Sequence, residues 1–533
     1  MSETLPLGSD SASRQIARAA GTVMLAFLFT QIIGLLRGII ISLAFGTSAD
    51  LDSFNAANRV TEVLFNLMAG GALGSAFIPT FTSLLTHGKK ALAWRLASAI
   101  ANLLLVVLTL AAGLAMVFAP LIVRRGLFVL APDLPAGQEA LTVTLLRIML
   151  PTVVIFGLSG LVMGILNAHQ RFWLPAIAPA MYSLGQIGGV LLLPPAWGIH
   201  RLAVGALIGA LLHLLVQSPG LLRLGGAYTA TLGVKIAEVR LVILLMGPRI
   251  LGVAVVQLNF IVNTIVALSL PEGSVSAVTL AFALMLMPQV AIAQSAAIAA
   301  MPTFSAKVAL GKVDEMRALL ASTLRVVLLL AIPATVGLIA LRLPLVRFLY
   351  QRGEFTAHST ALVAWALLWY TAGLVGHSLV EVLARAFYAL HDTKTPVLIG
   401  SAAMALNVAF SLTFPHLFNR AGWMPHGGLA LANSLATAFE AVGLLIFIRR
   451  RLDGLEGRSV LDSGGRALIA ALGMSLALWG WLALASGQAA WLVTAGGVIL
   501  GSGVYGVGVW VLGVREARGA VKAIARRLRL ILQ

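Results

Sequence analysis

The sequence predicts an all-α polytopic membrane protein with about fourteen transmembrane helices. Hydrophobic residues make up 59% of the chain and charged residues only 11%, whereas roughly a quarter of a soluble domain is charged. Apolar runs long enough to cross a bilayer as helices recur along nearly all 533 residues. The runs are continuous and lack the alternation of barrel strands, so helices are the structure that satisfies their backbone groups in lipid.

The apolar runs group into two sets of six spans followed by a final pair. The leader that precedes them is polar and lacks a short apolar core with a cleavage site, so we do not interpret it as a removed signal peptide. The predicted segments are a cytoplasmic leader, an N-lobe, a C-lobe, spans 13 and 14, and a basic cytoplasmic tail, at residues 1-19, 20-225, 226-450, 451-513 and 514-533.

The formal net charge of +18 is carried mostly by short loops between the spans. Lys and Arg are concentrated in alternate loops, which is the positive-inside pattern, and it predicts that both termini are cytoplasmic. Arg124 and Arg125 are exceptions, because their loop is predicted to be outside. The basic residues form no compact patch with interleaved aromatics, so we expect no nucleic-acid partner. The basic tail fits either an amphipathic helix on an anionic leaflet or a solvated helix that only enforces topology.

Two pairs of similar segments reveal an internal repeat. Phe77-Ile78-Pro79-Thr80-Phe81 follows span 2, and Met301-Pro302-Thr303-Phe304 follows span 8. A second pair follows spans 4 and 10, where His169-Gln170-Arg171 and His391-Asp392 each precede a proline that opens the next helix. Because the repeat unit holds six spans, both copies share one orientation. This predicts two six-helix lobes, spans 1–6 and 7–12, around a central cavity, with two C-terminal helices added.

A charge inside the bilayer is costly, so charged residues within the spans are the candidates for function. Arg37 lies inside span 1 with no acidic residue within one turn, and we expect it to face the cavity. In span 2, Arg59 and Glu62 are three residues apart, on one helix face where they can pair. The predicted substrate-binding residues are Arg37, Asn55, Arg59, Glu62, Arg249, Gln257 and Asn263.

These candidates also have a purely structural interpretation. Charged pairs such as Glu381 with Arg385, four residues apart in span 10, can neutralise each other and only hold helices together. Arg249 lies near the inner end of span 7, from which its long side chain can reach the interface. The sequence leaves both interpretations open.

The motifs of enzymes are missing from the sequence. It has no Walker-type Gly-Lys-Ser/Thr, no metal spacing among its histidines, no arguable Ser/His/Asp set and no cysteine. We therefore predict no catalytic residue, no metal, no cofactor and no enzyme activity. Energy for transport is expected from a cation gradient, the membrane potential or a partner. Asn407, Asn433 and Thr437 in spans 11 and 12 are candidates for coupling to a cation, although the acidic ligands that a sodium site wants are not evident.

Several short motifs, taken together, resemble the MurJ (MviN) family of lipid II flippases, within the superfamily of multidrug, oligosaccharidyl-lipid and polysaccharide exporters. The resemblance follows the span order over most of residues 20–450. Its best segments are Ala76-Phe77-Ile78-Pro79, Leu166-Asn167-Ala168-His169-Gln170-Arg171-Phe172, Gln351-Arg352-Gly353-Glu354-Phe355-Thr356 and Asp392-Thr393-Lys394-Thr395-Pro396.

The resemblance implies two lobes that alternate between inward-open and outward-open states in a bacterial cell membrane. It implies a flippase whose substrate is an undecaprenyl-pyrophosphate-linked peptidoglycan precursor, lipid II, moved from the inner to the outer leaflet among the membrane lipids. The last two spans are similar to a pair said to form a groove for the lipid tail. Cationic side chains in the cavity would then hold the pyrophosphate.

The family pattern is only partly present. The family's span 1 typically reads Ser-Arg-x-x-Gly-x-x-Arg-Asp, and of its charged residues only Arg37 is kept here. The arginines expected late in span 2 and in span 8 fall on or near Phe65 and on Ala283. An alternative function is therefore export of another polyprenyl-linked oligosaccharide or of an amphipathic small molecule. A non-transporting scaffold that recruits cell-wall synthesis proteins is a third hypothesis.

Overall fold

The computed structural model describes residues 29–67, 72–131 and 136–514, together with Ala26 and Glu516. Every regular element in these ranges is helical, and the ranges contain no β-strand. Backbone hydrogen bonds therefore close within each helix, as the hydrocarbon of a bilayer requires. The all-α polytopic prediction is confirmed. The predicted leader, and the predicted tail apart from Val514 and Glu516, lie outside the described residues.

The chain forms two compact units that divide after Ser269. A three-residue helical turn, Ala119–Leu121, and then a π-helical turn, Ile122–Leu127, follow the fourth helix of the first unit. The helices of this unit are α1 (Phe29–Phe45), α2 (Ala49–Phe65), α3 (Ala72–Thr86), α4 (Lys90–Val117), α5 (Ala136–Met149), α6 (Pro151–Ala168), α7 (Trp173–Leu192), α8 (His200–Leu215), α9 (Ser218–Leu222) and α10 (Ala237–Leu268).

The second unit is built from longer helices and contains a π-helical turn, Val290–Gln294, between its first two. Its helices are α11 (Ser274–Gln289), α12 (Ser295–Ala309), α13 (Val313–Tyr350), α14 (Ala357–Ala372), α15 (Leu374–Ala389), α16 (Lys394–Arg420), α17 (His426–Arg451), α18 (Gly457–Leu484) and α19 (Ala490–Val511).

The spans can be counted from the length and hydropathy of the helices. Ten helical stretches of the described chain can cross a membrane, and twelve can if two bent pairs each count as one span. The halves of α10 meet at 43°, and α14 meets α15 at 46°. Two shorter apolar helices, Phe29–Phe45 and Ala76–Thr86, lie in predicted spans 1 and 2. α10 packs against α2 and α3 in the first unit, and the predicted lobe boundary at residue 226 stays a prediction.

Large apolar side chains remain exposed on the outer faces of the helices. Leu244, Leu476 and Ile499 are among those that no other part of the described chain covers. Such surface is unfavourable in water and is favourable against acyl chains. The exposed apolar surface is therefore the lipid-facing surface of a membrane protein.

The internal repeat is visible in the helices of both units. α3 contains Pro79 and α12 contains Pro302, each inside the helix. Two residues after each proline stands a phenylalanine, Phe81 or Phe304, whose side chain is fully buried. A proline inside a helix removes one backbone hydrogen bond. Each unit therefore has a helix that lacks one backbone hydrogen bond and carries a buried phenylalanine two residues later.

The second pair of repeat segments ends its helices in the same way. Gln170 and His391 both adopt the left-handed conformation, with φ of 57° and 58°. The amide after Gln170 donates to the Leu166 carbonyl over 2.9 Å, and the amide after His391 donates to the Phe387 carbonyl over 3.0 Å. These are Schellman ends, which turn the chain sharply and satisfy a terminal carbonyl.

Four glycines set the distance between α7 and α8. A Cβ atom on Gly185 would lie 2.2 Å from the Cα atom of Gly209, and one on Gly189 would lie 2.5 Å from the Cα atom of Gly205. Both helices carry the Gly-xxx-Gly spacing, which puts each pair of glycines on one face. The two backbones are therefore in direct contact, and no side chain larger than hydrogen fits between them.

We expect Gly185→Ala to disrupt this contact, because the two helices would have to separate by more than an ångström. The yield of monodisperse protein in detergent and its thermal unfolding temperature should both fall, at a cost of about 1–3 kcal/mol. Gly188→Ala is the matched control, since the nearest atom to its Cβ would be Leu192 Cδ1 at 3.9 Å. Equal stability of the two variants would contradict the packing.

Candidate functional site

A polar cluster on α2 holds two charges that are partly exposed. Arg59 Nη1 lies 2.7 Å from Glu62 Oε2, and Asn58 Nδ2 donates to the other carboxylate oxygen over 2.9 Å. The spacing of three residues predicted this ion pair, and the structure confirms it. Glu62 is thus held on both oxygens by its own helix.

Arg59 also contacts α10. Its Cζ atom lies 5.1 Å from the centre of the Phe260 ring, which is within the range of a cation–π interaction. The Nε atom of Arg59 is buried and has no hydrogen-bond partner. The guanidinium is therefore fixed on two sides and keeps one donor available. Phe260 was not predicted, because nothing in its sequence neighbourhood marks a ring that meets an arginine on another helix.

A cavity of about 280 Å³ lies between α2 and α10, lined by Asn66, Val253, Val256 and Gln257. Gln257 is only 8% exposed, and its Oε1 atom has no hydrogen-bond partner. The Oδ1 atom of Asn259 is also buried and has no hydrogen-bond partner. Buried acceptors without a donor are rare and unfavourable. The seam between α2 and α10 therefore holds a buried donor and buried acceptors that have no hydrogen-bond partner in the described chain.

Arg37 lies on α1 of the same unit, and its side chain is half-buried. No ion pair within the described part of the chain involves it. Both Arg37 and Glu62 interact electrostatically with the Tyr182 hydroxyl on α7. Arg37 and Glu62 therefore lie in the neighbourhood of the same hydroxyl, and the cavity-facing orientation of Arg37 stays a prediction.

A buried hydrogen-bond network joins α6 to α8, next to Tyr182 of α7. Ser159 Oγ lies 2.6 Å from His213 Nδ1, and Gln217 Nε2 donates to Ser159 Oγ over 2.8 Å. The Phe156 ring packs edge-on against both Tyr182 and His213. The sequence showed His213 as a single histidine in a helix, because its partner comes from 54 residues away.

The second unit has its own polar cluster, centred on His377 of α15. Its Nε2 atom lies 3.0 Å from Asn433 Oδ1 and 3.3 Å from Thr437 Oγ1, both on α17. Asn407 was predicted to join Asn433 and Thr437, but its Oδ1 atom accepts a hydrogen bond from Ser411 in its own helix. Asn433 and Thr437 therefore converge on an imidazole, and sequence reasoning missed that histidine as their shared partner.

The remaining predicted residues fall into three groups. Glu381 and Arg385 form the predicted ion pair on α15. Asn55 and Asn263 lie on α2 and α10, and both are engaged in polar interactions within the structure. Arg249 is in α10, but its side chain lies outside the described part of the chain. Within the described ranges, no three His, Asp or Glu side chains converge on a site for a metal ion.

The first unit thus gathers the site of greatest chemical interest. Among its described residues are Arg37, which forms no ion pair, Arg59, which is paired with Glu62, and the partnerless amide oxygens of Gln257 and Asn259, of which Gln257 lines the small cavity. Guanidinium groups bind the oxygens of phosphates through paired, charge-assisted hydrogen bonds. The arrangement is suited to holding an anionic polar group at the edge of an apolar environment.

Comparison with known proteins gives a family match over most of the chain. The model of the family described as "Lipid II flippase MurJ" matches residues 41–496. The lipid II flippase MurJ of Burkholderia cenocepacia is 31% identical over 442 residues, covering 81% of this chain and 84% of that protein. The probable lipid II flippase MurJ of Rhizobium meliloti is 31% identical over 506 residues, with 90% of each chain covered.

Solved structures support the fold. A lipid II flippase MurJ in an inward closed conformation matches with a TM-score of 0.77 at 22% identity, covering 94% of this chain and 99% of that one. A multidrug resistance transporter of the MATE family in an inward-facing conformation matches with a TM-score of 0.68 at 15% identity, covering 80% and 96%. At these identities the structural likeness establishes the architecture of the helices and no more.

The ion pair on α2 predicts a measurable coupling. We expect Arg59→Gln and Glu62→Gln each to lower the free energy of unfolding, and the double variant to lose less than the sum. Because the two side chains are 25% and 44% exposed, the coupling should be only about 0.5–1 kcal/mol. Unfolding in detergent, followed for all four proteins, measures it. Arg95→Gln combined with Glu62→Gln is the additive reference, and a coupling no larger than in that reference would contradict the geometry.

Proposed function

We propose that this chain, which belongs to the lipid II flippase MurJ family, moves lipid II from the inner to the outer leaflet by alternating access. It is a multi-pass protein of the bacterial inner membrane, and its relatives are named as flippases, so it is a transporter and not an enzyme. The family match across residues 41–496 carries the proposal. The polar site of the first unit supplies the chemistry that such a substrate needs.

The diphosphate of the substrate would bind at Arg37. A diphosphate carries several anionic oxygens, and an unpaired guanidinium in a low-dielectric environment is the strongest partner for them among neutral-pH side chains. Tyr182 and the free Nε atom of Arg59 would add hydrogen-bond donors on the other side. The isoprenoid tail would remain among the acyl chains, because its burial in a polar cavity would lose hydrophobic stabilisation.

Glu62 would keep the binding reversible. A flippase has to release its cargo, and a carboxylate beside the guanidinium groups lowers the net positive charge that a diphosphate meets. Here Glu62 is paired with Arg59 and accepts a hydrogen bond from Asn58. An arriving phosphate would therefore compete for Arg59 with a carboxylate of the protein itself. The net charge of the Arg37, Arg59 and Glu62 group is then +1, enough to attract the diphosphate and low enough to let it go.

The positive-inside pattern supports an orientation with both termini in the cytoplasm. In that orientation Lys89, Lys90 and the Arg449-Arg450-Arg451 segment at the end of α17 are cytoplasmic. Cell-wall synthesis proteins that make or use the lipid-linked precursor are the partners that this role would require.

Coupling to a cation would use the His377 cluster. Asn433 Oδ1 is an acceptor, so the neutral imidazole would carry its hydrogen on Nε2 and leave Nδ1 as a base. Glu381, one turn along α15 from His377, is paired with Arg385, and the Phe282 ring of α11 lies against the imidazole. Asn433 and Thr437, the two candidates for cation coupling on α17, both contact this imidazole. We therefore favour a proton over sodium as the coupling ion.

The small number of cations favours one second candidate. Among the described side chains of the site, Arg37 is the one guanidinium without an ion pair, and Arg59 is paired with Glu62. A substrate with less anionic charge, such as another polyprenyl-linked oligosaccharide or an amphipathic molecule, would need no further guanidinium groups for its binding. Transport of labelled lipid II compared with other polyprenyl-linked sugars would separate the two candidates.

We expect Arg37→Ala to abolish the growth of a bacterium that is depleted of its own flippase and depends on this chain, because the diphosphate loses its main partner. Arg37→Lys should restore part of the growth, since it keeps the charge but loses the bidentate geometry. Membrane insertion, measured by the amount of protein in the membrane fraction, should be unchanged. Arg95→Ala is the control, and normal growth with Arg37→Ala would refute the site assignment.

The coupling proposal predicts that flipping in proteoliposomes responds to an imposed pH gradient and not to replacement of sodium by choline. His377→Gln should remove the response to the pH gradient, because its amide keeps hydrogen bonds to α17 but cannot take up a proton. Asn407→Ala is the control, since Asn407 bonds within its own helix. A sodium-dependent rate that survives in His377→Gln would refute proton coupling.

A further inference from the structure

A second cavity lies in the second unit, away from the His377 cluster. It measures about 470 Å³ and opens where α13 ends, α14 begins and the turn between α18 and α19 crosses above them. No residue of this cavity was among those predicted to have a function. Its lining residues come from four helices and the turn, so the cavity is built by the packing of the unit and not by one mobile loop.

The lining of this cavity is divided into an apolar and a polar part. Leu343, Leu482 and Val493 form an apolar wall contributed by α13, α18 and α19. The polar part is Arg347, Gln351, Thr360, Ser486 and Gln488. A site with a polar end beside an apolar wall fits a molecule that is itself amphipathic.

The polar part favours an anion. Arg347 is the one charged residue of the lining, which contains no carboxylate, and no ion pair of the described chain involves Arg347. Thr360 Oγ1 donates to Gln351 Oε1 over 3.1 Å, which leaves the amide nitrogen of Gln351 as a donor. The lining also includes Ala490, the first residue of α19, whose N-cap gives no side-chain hydrogen bond. Arg347 thus lies among donors that have no anionic partner.

Two tryptophans indicate the depth of the cavity in the membrane. Trp479 on α18 is 74% exposed and Trp491 on α19 is 57% exposed, on either side of the turn that borders the cavity. Exposed tryptophans at helix ends are typical of the level where lipid headgroups meet acyl chains. Leu484, next to the same turn, is also exposed. The cavity therefore opens at the headgroup level of one leaflet.

We propose that this cavity binds the headgroup of an anionic phospholipid. The phosphodiester would bind Arg347, with hydrogen bonds from Gln351 and Ser486, and the first methylene groups of the acyl chains would lie on Leu343 and Leu482. The size agrees, because a glycerophosphate headgroup fills a few hundred Å³, the range of small-molecule sites. The site is separate from the diphosphate site of the first unit, and its occupant belongs to the bilayer and not to the cargo.

The test uses the full chain in detergent and native mass spectrometry with added phosphatidylglycerol or phosphatidylcholine. We expect phosphatidylglycerol to remain bound, and Arg347→Gln to weaken it roughly tenfold through loss of the charge-assisted hydrogen bonds. Arg352→Gln is the matched control, because Arg352 is exposed on the same segment and does not line the cavity. It removes the same charge and should leave the affinity unchanged.

A second variant separates weaker lipid binding from misfolding of the protein. Gln488→Glu places a negative charge in the cavity at an exposed position, and it too should weaken phosphatidylglycerol while leaving the unfolding temperature unchanged. Equal binding of phosphatidylcholine, or equal weakening by Arg352→Gln, would overturn the proposal in favour of general surface attraction. Displacement of the lipid by millimolar inorganic phosphate would overturn it in favour of a free phosphate site.

Discussion

The absence of water from the bilayer interior determines this structure. Each backbone N–H and C=O group has to be bonded inside the protein, so the described chain is helical wherever it is regular. The same constraint acts on side chains, because a charge without a partner is costly there. Arg59 with Glu62, and Glu381 with Arg385, satisfy it by pairing within one helix.

The constraint also explains how the polar site is built. Each helix can contribute few polar groups, so the site draws on α1, α2, α7 and α10, with the largest share from α2. Close packing then positions them: the glycine contact fixes α8 against α7, and the Ser159, His213 and Gln217 network holds α8 to α6. Arg37 differs from these paired charges. It has no ion-pair partner in the described chain, so its stable accommodation calls for a hydrated cavity or an anionic ligand.

The features that depend on neighbours along the chain could be predicted from the sequence. Long apolar runs gave the helical fold, and spacings of three and four residues gave the Arg59–Glu62 and Glu381–Arg385 pairs. The repeat was readable because a proline and a turn recur at matching positions. Each of these follows from the periodicity of one helix.

The features that depend on contacts between helices could not be predicted. Phe260 under Arg59, and His377 between Asn433 and Thr437, join residues separated by 56 or more positions. The bond from Ser411 to Asn407 lies within one helix, at the spacing of four residues that puts two side chains on one face. Which faces of neighbouring helices meet is set by packing, for which a single sequence of apolar residues gives no register.

Transport by the purified chain in proteoliposomes tests the account most directly. Labelled lipid II would be placed in one leaflet, and its appearance in the other would be followed beside the same measurement for a polyprenyl-linked sugar of a different kind. The account predicts that lipid II crosses faster than the other lipid, and that the crossing stops when a soluble diphosphate-binding agent masks the headgroup. Crossing of the other lipid alone, with lipid II left in its original leaflet, would contradict it.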